Sequence, residues 1–167
     1  AAIDLNNGTL KWQVPHGETL ATLAPLAPVF VSYVLSFIYV GIYWNNHHHM
    51  LHAAGKVSAS VLWANLHLLF WLSLVPFTTR WMSESEFATL PTALYGCVLL
   101  LAAVAFTILV RAILACQPED SVLATAIGRD RKGNISLVLY AIAIPLTFVA
   151  EWITIALIAL VALIWLV

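Results

Sequence analysis

Charged side chains are scarce in this sequence. Only 9% of the 167 residues are Asp, Glu, Lys or Arg, whereas soluble domains carry about 25%. Because 62% of the residues are hydrophobic, there are too few charges to cover a surface that faces water, which excludes a soluble globular domain. The formal net charge of −1 leaves no basic surface for phosphate backbones, so we do not expect nucleic acid as a partner.

Motifs of catalysis and cofactor binding are also missing. The sequence has no Gly-rich phosphate loop, no His-Glu-x-x-His pattern and no pair of carboxylates inside an apolar stretch. Its two cysteines, Cys97 and Cys116, stand at different depths of one apolar run, so we expect no disulfide between them. The sequence therefore predicts neither an enzyme nor a bound cofactor.

The few charges that are present divide the chain into long apolar stretches. Stretches of 37, 23, 24, 18 and 16 residues contain no Asp, Glu, Lys or Arg: 19–55, 57–79, 87–110, 133–150 and 152–167. A helix needs roughly 20 apolar residues to cross a bilayer core about 30 Å thick. This pattern predicts an all-α, polytopic membrane helix bundle in contact with the lipid bilayer.

The predicted organisation has two parts. Residues 1–27 form an N-terminal loop or interfacial segment, because Gly and Pro recur there and disfavour one continuous helix. Residues 28–167 form the transmembrane helical domain, with spans at about 28–50, 58–80, 89–114, 134–150 and 152–167.

Basic residues are concentrated in alternate loops. Lys56 follows the first span and the segment 129–132 (RDRK) follows the third, whereas the loop after the second span carries Glu84 and Glu86. The positive-inside rule places the first and third loops in the cytoplasm. We therefore predict a multi-pass membrane protein with an outer N-terminus and a cytoplasmic C-terminus.

A polar stripe runs along the first span. Ser32, Ser36, Tyr39 and Tyr43 recur at spacings of three and four residues, which places them on one face of a helix. Such a face turns toward protein or water, because lipid cannot satisfy its hydroxyls. It either lines a water-filled path or packs against other helices.

The second span carries the polar or aromatic residues Trp63, Asn65, His67 and Trp71, three of them at four-residue spacing. His67 lies about 9 to 14 Å along its helix, so a neutral imidazole there needs a hydrogen-bond partner. The alternatives are a structural bond to another helix and a functional ligand role.

Four histidines follow the first span at positions 47, 48, 49 and 52. Consecutive helical residues point about 100° apart, so only His48 and His52 match a two-ligand metal site. No Cys, Asp or Glu lies nearby in sequence to complete the ligand set. We therefore expect a polar helix end and keep His48 and His52 as weak metal candidates.

Two segments carry a resemblance to a known family. Residues 36–49 (SFIYVGIYWNNHHH) and residues 62–77 (LWANLHLLFWLSLVPF) resemble the second and third spans of bacterial members of the endosomal and lysosomal potassium channel family, also called transmembrane protein 175. Residues 126–128 (AIG), Lys132-Gly133 and the apolar run to Trp165 are similar to that family's later loop and final two spans. The resemblance covers about 14–167.

The resemblance implies a potassium-permeable homotetrameric channel whose gate is a hydrophobic constriction, which can close by dewetting. In that family a first span with an Arg-x-x-x-Phe-Ser-Asp motif lines the pore, and Trp63, Asn65 and His67 would belong to the polar network that holds it. Residues 1–13 contain no such motif. We therefore expect either a further N-terminal span or a truncated member that cannot form this pore.

Three function classes follow. The first is a potassium channel subunit that conducts passively, with K⁺ as the permeant ion. The second is a non-conducting membrane scaffold or accessory protein made of the outer helices. The third is a metal-coupled or proton-coupled transporter that uses the histidines, which would show metal-dependent thermal stabilisation or a saturable, pH-driven flux.

Overall fold

Five α-helices make up most of the structure, a computed structural model that describes residues 2–4, 9–11, 27–54, 56–118 and 131–166. They are α1 (Ala27–Ala53), α2 (Ala59–Glu84), α3 (Thr89–Leu114), α4 (Arg131–Leu146) and α5 (Glu151–Leu166). The helical class predicted from the sequence is confirmed.

A short β-ribbon precedes the helices. Strands β1 (Ala2–Asp4) and β2 (Thr9–Lys11) pair antiparallel, with Ile3 opposite Leu10. We had predicted that this stretch forms only a loop or interfacial turn, so the strand pair is a correction. The sequence between the strands contains Asn7-Gly8, a dipeptide that strongly favours a β-hairpin.

The helices pack mainly against their neighbours in sequence. α2 and α3 form the most extensive contact, α1 packs on α2, α4 packs on α3 and α5 packs on α4. Smaller contacts join α5 to α3 and to α1. Connections of four or five residues join α1 to α2, α2 to α3 and α4 to α5, and loops this short return the next helix beside the previous one. A hydrogen bond joins Thr89, at the start of α3, to Glu151, at the start of α5, so the α2–α3 and α4–α5 connections lie at the same end of the bundle.

The core consists of two apolar clusters stacked along the bundle. One cluster joins α1, α2 and α3 near the C-terminus of α1, through Met50, Val61, Leu68, Leu109 and Ile113. The other joins α1, α2, α3, α4 and α5 nearer the α2–α3 connection, and its buried members include Tyr39, Val75, Leu99, Tyr140 and Ile158. The aromatic members of the second cluster bring hydroxyl groups into the core.

Large apolar side chains also cover the outside of the bundle. Phe37 is 67% exposed, Trp63 72% and Val149 78%. By length and composition, α2 and α3 are each able to cross a membrane, and the segments Lys132–Leu146 and Glu151–Leu166 are shorter apolar helices. An outer surface of this kind suits contact with lipid or with other apolar helices.

Two helices differ in extent from the spans that we predicted. α2 continues through Pro76 to Glu84, where the prediction stopped at about residue 80. An ion pair of 2.8 Å between Arg80 and Glu84 lies on this last turn. α4 begins at Arg131 and ends at Leu146, whereas the prediction was 134–150, because Thr147 to Val149 form a turn instead.

Candidate functional site

A polar contact joins α1 to α2 near one end of the bundle. The Nε2 atom of His47 lies 2.5 Å from the side-chain oxygen of Asn65, both side chains being partly buried. Because an amide oxygen can only accept, the Nε2–H of His47 is the donor and the Asn65 oxygen is the acceptor. Asn46, one residue earlier, donates to the carbonyl of Ile42 in its own helix at 2.8 Å. Asn65 is therefore a member of the predicted polar network that contacts another helix.

The other two members of that predicted network lie on the outside of α2. The indole N–H of Trp71 donates to Nε2 of His67 at 2.9 Å, so the partner of His67 is in its own helix. His67 is exposed, and Trp63 is 72% exposed. The structure thus separates Asn65, which faces α1, from Trp63 and His67, which face away from this chain's other helices.

The polar stripe of α1 faces the inside of the bundle. Ser36 is 2% exposed and Tyr39 9%, Tyr43 is partly buried, and the side chain of Ser32 lies outside the described part of the chain. Tyr39 donates a hydrogen bond of 2.5 Å to the carbonyl of Ile158 in α5. The stripe is therefore the surface through which α1 contacts the rest of the bundle.

The tyrosines of the stripe border a small cavity. Its volume is about 20 Å³, and its lining comes from α1, α3, α4 and α5: Tyr39, Ile42, Tyr43, Asn46, Phe106, Tyr140, Val161, Ala162 and Trp165. A cavity of this size holds about one water molecule. Edge-to-face ring contacts surround it, between Tyr39 and Tyr95 at 6.2 Å and between Tyr43 and Phe106 at 6.0 Å. It is a mainly apolar recess in a packed core that a few polar side chains border, and it is too small to form a continuous path.

A second, larger cavity of about 470 Å³ lies between α1 and α2. It is lined by Val40, Trp44, His47, Leu69, Leu72, Ser73 and Pro76. The lining is almost entirely apolar, with His47 and Ser73 as its polar members. The His47–Asn65 contact therefore lies at the wall of an apolar crevice.

Hydroxyl groups join α3, α4 and α5 at the opposite end. Thr154 donates to the carbonyl of Ala143 at 2.8 Å, and its oxygen lies 2.9 Å from that of Thr147. Thr89 at the start of α3 donates to a carboxylate oxygen of Glu151 at 2.6 Å. This bond lowers the pKa of Glu151, because the hydroxyl stabilises the ionised carboxylate. Glu151 precedes the predicted last span, and its hydrogen bond to Thr89 connects the start of that span to α3.

The histidines after His47 lie on the exposed surface of α1. The rings of His48 and His52 are stacked, with centroids 6.1 Å apart and planes at 10°. Within the described residues, no group of three or more His, Cys, Asp or Glu side chains is placed to hold one metal ion. His48 and His52 are thus brought together as a pair.

Sequence comparison identifies the family. A family model described as endosomal/lysosomal potassium channel TMEM175 matches residues 5–76. A protein described as a potassium channel from Chryseobacterium sp. (strain P1-3) is 48% identical over 166 residues, which is 99% of this chain and 86% of that relative. The chain belongs to the TMEM175 potassium channel family.

A second relative agrees with this assignment over a shorter region. A potassium channel from Streptomyces collinus (strain DSM 40733 / Tue 365) is 30% identical over 83 residues, which is 47% of this chain and 40% of that relative. No solved structure matches the chain. Membership of this family, together with two helices able to cross a membrane, makes the chain a membrane-embedded protein of a potassium transport family.

Several residues of these polar contacts were not singled out from the sequence. Tyr95, Tyr140, Thr147 and Thr154 lie in mainly apolar stretches, and each has a single polar residue three or four positions away, too few to define a stripe. Their hydrogen bonds and ring contacts depend on which helices are adjacent, which periodicity within one helix does not reveal. A single hydroxyl in an apolar stretch is a signal that some partner exists.

Proposed function

We propose that this protein is a potassium-permeable channel subunit that conducts K⁺ passively, down its electrochemical gradient. The observation that carries the proposal is the 48% identity to a protein described as a potassium channel, which extends over 99% of this chain. Passive conduction needs a wetted path and weak coordination of the ion by hydroxyl or carbonyl oxygens. It requires no cofactor and no catalytic residue.

The proposed ion path lies between copies of the chain in a homotetramer. The tyrosine cavity of one chain has a volume of about 20 Å³, which is too small for a hydrated path. The exposed faces of α1 and α2 carry large apolar side chains, including Phe37 and Trp63. A hydrophobic constriction between copies can gate such a path by dewetting.

The burial of the α1 stripe supports a structural role for it in this channel. Ser36 and Tyr39 are buried, and Tyr39 bonds to the backbone of α5. We propose that the stripe joins α1 to the bundle and does not line the ion path. Asn65 has the corresponding structural role between α1 and α2. Trp63 and His67, which are exposed in one chain, then contact a further span or another copy.

The proposed topology places all five helices in the lipid bilayer of the bacterial inner membrane. α4 and α5 contain 16 residues each, near the lower limit for a membrane span. The loops with Lys56 and with the segment 129–132 face the cytoplasm under the positive-inside rule. The C-terminus then lies in the cytoplasm, and Glu151 lies at the outer surface.

Potassium flux out of liposomes tests the proposal. Protein expressed from the complete gene is reconstituted into vesicles with high internal K⁺, and a protonophore with a pH-sensitive dye reports the potential that K⁺ efflux creates. We expect dye quenching that exceeds that of empty vesicles and that stops when internal and external K⁺ are equal. Flux equal to that of empty vesicles would contradict the channel and favour the scaffold. Flux that saturates and requires a proton gradient would favour the transporter.

A further inference from the structure

A column of three aromatic rings runs along the last turns of α1. The ring of His48 stacks on Trp44, with centroids 5.1 Å apart and planes at 15°, and on His52 at 6.1 Å and 10°. The three residues are four positions apart, so they lie on one face of the helix. All three are exposed. The two imidazoles therefore stand side by side on an open surface.

The neighbouring histidines are oriented or bonded differently. His47 is bonded to Asn65, and His67 accepts a hydrogen bond from Trp71. His49 lies about 100° around the helix from His48, and its ring meets that of His48 at 66°. In the part of the chain that the structure describes, His48 and His52 are the pair whose rings are parallel one helical turn apart.

Two exposed imidazoles one helical turn apart can form a bidentate metal chelate. A divalent zinc ion lies about 2.0–2.1 Å from each imidazole nitrogen, so two ligand nitrogens need to be roughly 3.3 Å apart in a tetrahedral site. In the stacked arrangement the nitrogen lone pairs lie in two parallel ring planes, so both rings must rotate to direct them at one ion. Their exposure allows that rotation without moving the helix or breaking a core contact.

The position of the pair also favours a cation. His48 and His52 lie in the last turns of α1, which ends at Ala53. Backbone carbonyls at a helix C-terminus carry partial negative charge, which stabilises a nearby cation. Neutral imidazole nitrogens suit Zn²⁺, Ni²⁺ and Cu²⁺, whereas Mg²⁺ and Ca²⁺ prefer oxygen ligands.

We propose that His48 and His52 chelate one divalent first-row transition-metal ion per chain, of which Zn²⁺, Ni²⁺ and Cu²⁺ are the best suited. No third His, Cys, Asp or Glu is placed to join them among the described side chains, so water fills the remaining positions. Such a chelate cross-links two successive turns of α1 and holds the helix end next to the His47–Asn65 contact. The site binds metal whether or not the protein conducts ions.

Calorimetric titration of the purified protein in detergent with NiCl₂ and with ZnCl₂ tests the site. We expect binding of one ion per chain, and MgCl₂ should give no signal. His48→Phe keeps a ring that stacks on Trp44 but removes the ligand nitrogens, and His52→Ala removes the second ligand. Each variant should lose at least ten-fold in affinity at this site. His49→Ala is the matched control and should bind as the unmodified protein does.

Thermal unfolding gives a second readout, which does not require the heat of metal binding to be large enough to measure. Ni²⁺ should raise the melting temperature of the unmodified protein and of His49→Ala, by mass action on the folded state, and should not raise that of the His48→Phe/His52→Ala double variant. A double variant that keeps the affinity and the metal-dependent stabilisation of the unmodified protein would overturn the proposal. So would an equal loss of both in His49→Ala.

Discussion

At the scale of single residues, the structure follows one requirement: a polar group in the bundle finds a partner. No buried side-chain nitrogen or oxygen among the described residues lacks a hydrogen bond. Several hydroxyls are satisfied locally, as where Thr79 donates to the carbonyl of Val75 at 2.7 Å. Other polar groups bond to a different helix, as the amide of Asn65 and the hydroxyl of Thr154 do. Removing a hydrogen bond between helices should lower the free energy of unfolding measurably. Removing a local one should matter less, because its acceptor carbonyl already accepts a backbone hydrogen bond within the helix.

Asn65→Ala should destabilise the folded chain. The substitution leaves the Nε2–H of His47 without its acceptor at the contact between α1 and α2. Hydrogen bonds between membrane helices average about 0.6 kcal/mol and reach about 1.7 kcal/mol, so we expect a loss of that size in the free energy of unfolding in detergent.

The matched control for this substitution is Asn46→Ala. Among the residues that the structure describes, Asn46 bonds to Ile42 in its own helix and to no other helix, so the loss on its substitution should stay within about 0.5 kcal/mol. Equal effects of the two substitutions would contradict the role assigned to the His47–Asn65 contact.

The Thr89–Glu151 bond should make stability fall in acid. Because the bond lowers the pKa of Glu151 below its ordinary value of 4.5, ionised Glu151 stabilises the folded chain above about pH 4.5. That contribution is lost as the pH falls through the lowered pKa, since the unfolded chain binds the proton first. Thr89→Val removes the donor and should flatten this dependence in melting curves measured from about pH 3 to 7.

Thr92→Val separates this effect from the general loss of a hydroxyl. Thr92 donates to the backbone carbonyl of Phe87 at 3.0 Å, and this acceptor does not titrate. Its substitution should lower the melting temperature equally at each pH. A Thr89→Val protein with the same acid dependence as the unmodified protein would show that Glu151 is not held by Thr89.

At the scale of elements, the turn between α2 and α3 is the strained connection. Glu86 and Phe87 both have positive φ, 51° and 60°, in the left-handed region that costs an L-residue about 1–2 kcal/mol. The backbone N–H of Phe87 bonds to the carbonyl of Met82 at 2.9 Å, which closes the end of α2. The strained backbone therefore lies in the tight turn that brings α3 back alongside α2.

Glu86→Gly should relieve part of this strain. Glycine adopts positive φ freely, although it loses about 0.5–1 kcal/mol in chain entropy on folding, so we expect a gain of up to about 1 kcal/mol in the free energy of unfolding. Ser85→Gly is the control, because Ser85 has a φ of −92° and gains nothing from glycine. A stabilising Ser85→Gly, or a Glu86→Gly that destabilises the chain, would contradict this interpretation of the turn.

The sequence predicted the helices better than their ends. Apolar length located α3 at 89–114, and the structure has Thr89–Leu114. The fourth span was predicted to start at residue 134, after the charges of the segment 129–132, yet the helix begins at Arg131. The lack of charge marks the part of a helix that can lie in lipid, and Arg131 to Gly133 continue the helix beyond that part.

At the scale of the whole molecule, the arrangement of helices could not be read from one sequence. Spacing placed Ser36 and Tyr39 on one face, and that face is buried, because polarity and period together define a face that avoids lipid. The sequence did not predict the hydrogen-bond partner of His67, because Trp71 in the same helix and a polar group on an adjacent helix can bond to an imidazole equally well. The ribbon of residues 2–4 and 9–11 was missed because the Gly and Pro residues of 1–27 were interpreted only as evidence against a helix, although Asn7-Gly8 is also a hairpin signal.

The outer surface is the property of the whole molecule on which the channel proposal depends. Aromatic and aliphatic side chains on α1 and α2 are widely exposed, Phe37 at 67% among them. In a membrane, such a surface meets lipid or another copy without the cost it has in water. We propose that K⁺ passes between assembled copies and not through the packed core of one chain, whose cavity has a volume of only about 20 Å³.

Current through planar bilayers that contain the protein expressed from the complete gene tests the central claim most directly. With different KCl concentrations on the two sides, we predict a current whose reversal potential follows the K⁺ gradient and persists without any proton gradient. A membrane that stays non-conducting after verified insertion of the assembled protein would contradict the account. A current that reverses with the proton gradient, independently of K⁺, would contradict it as well.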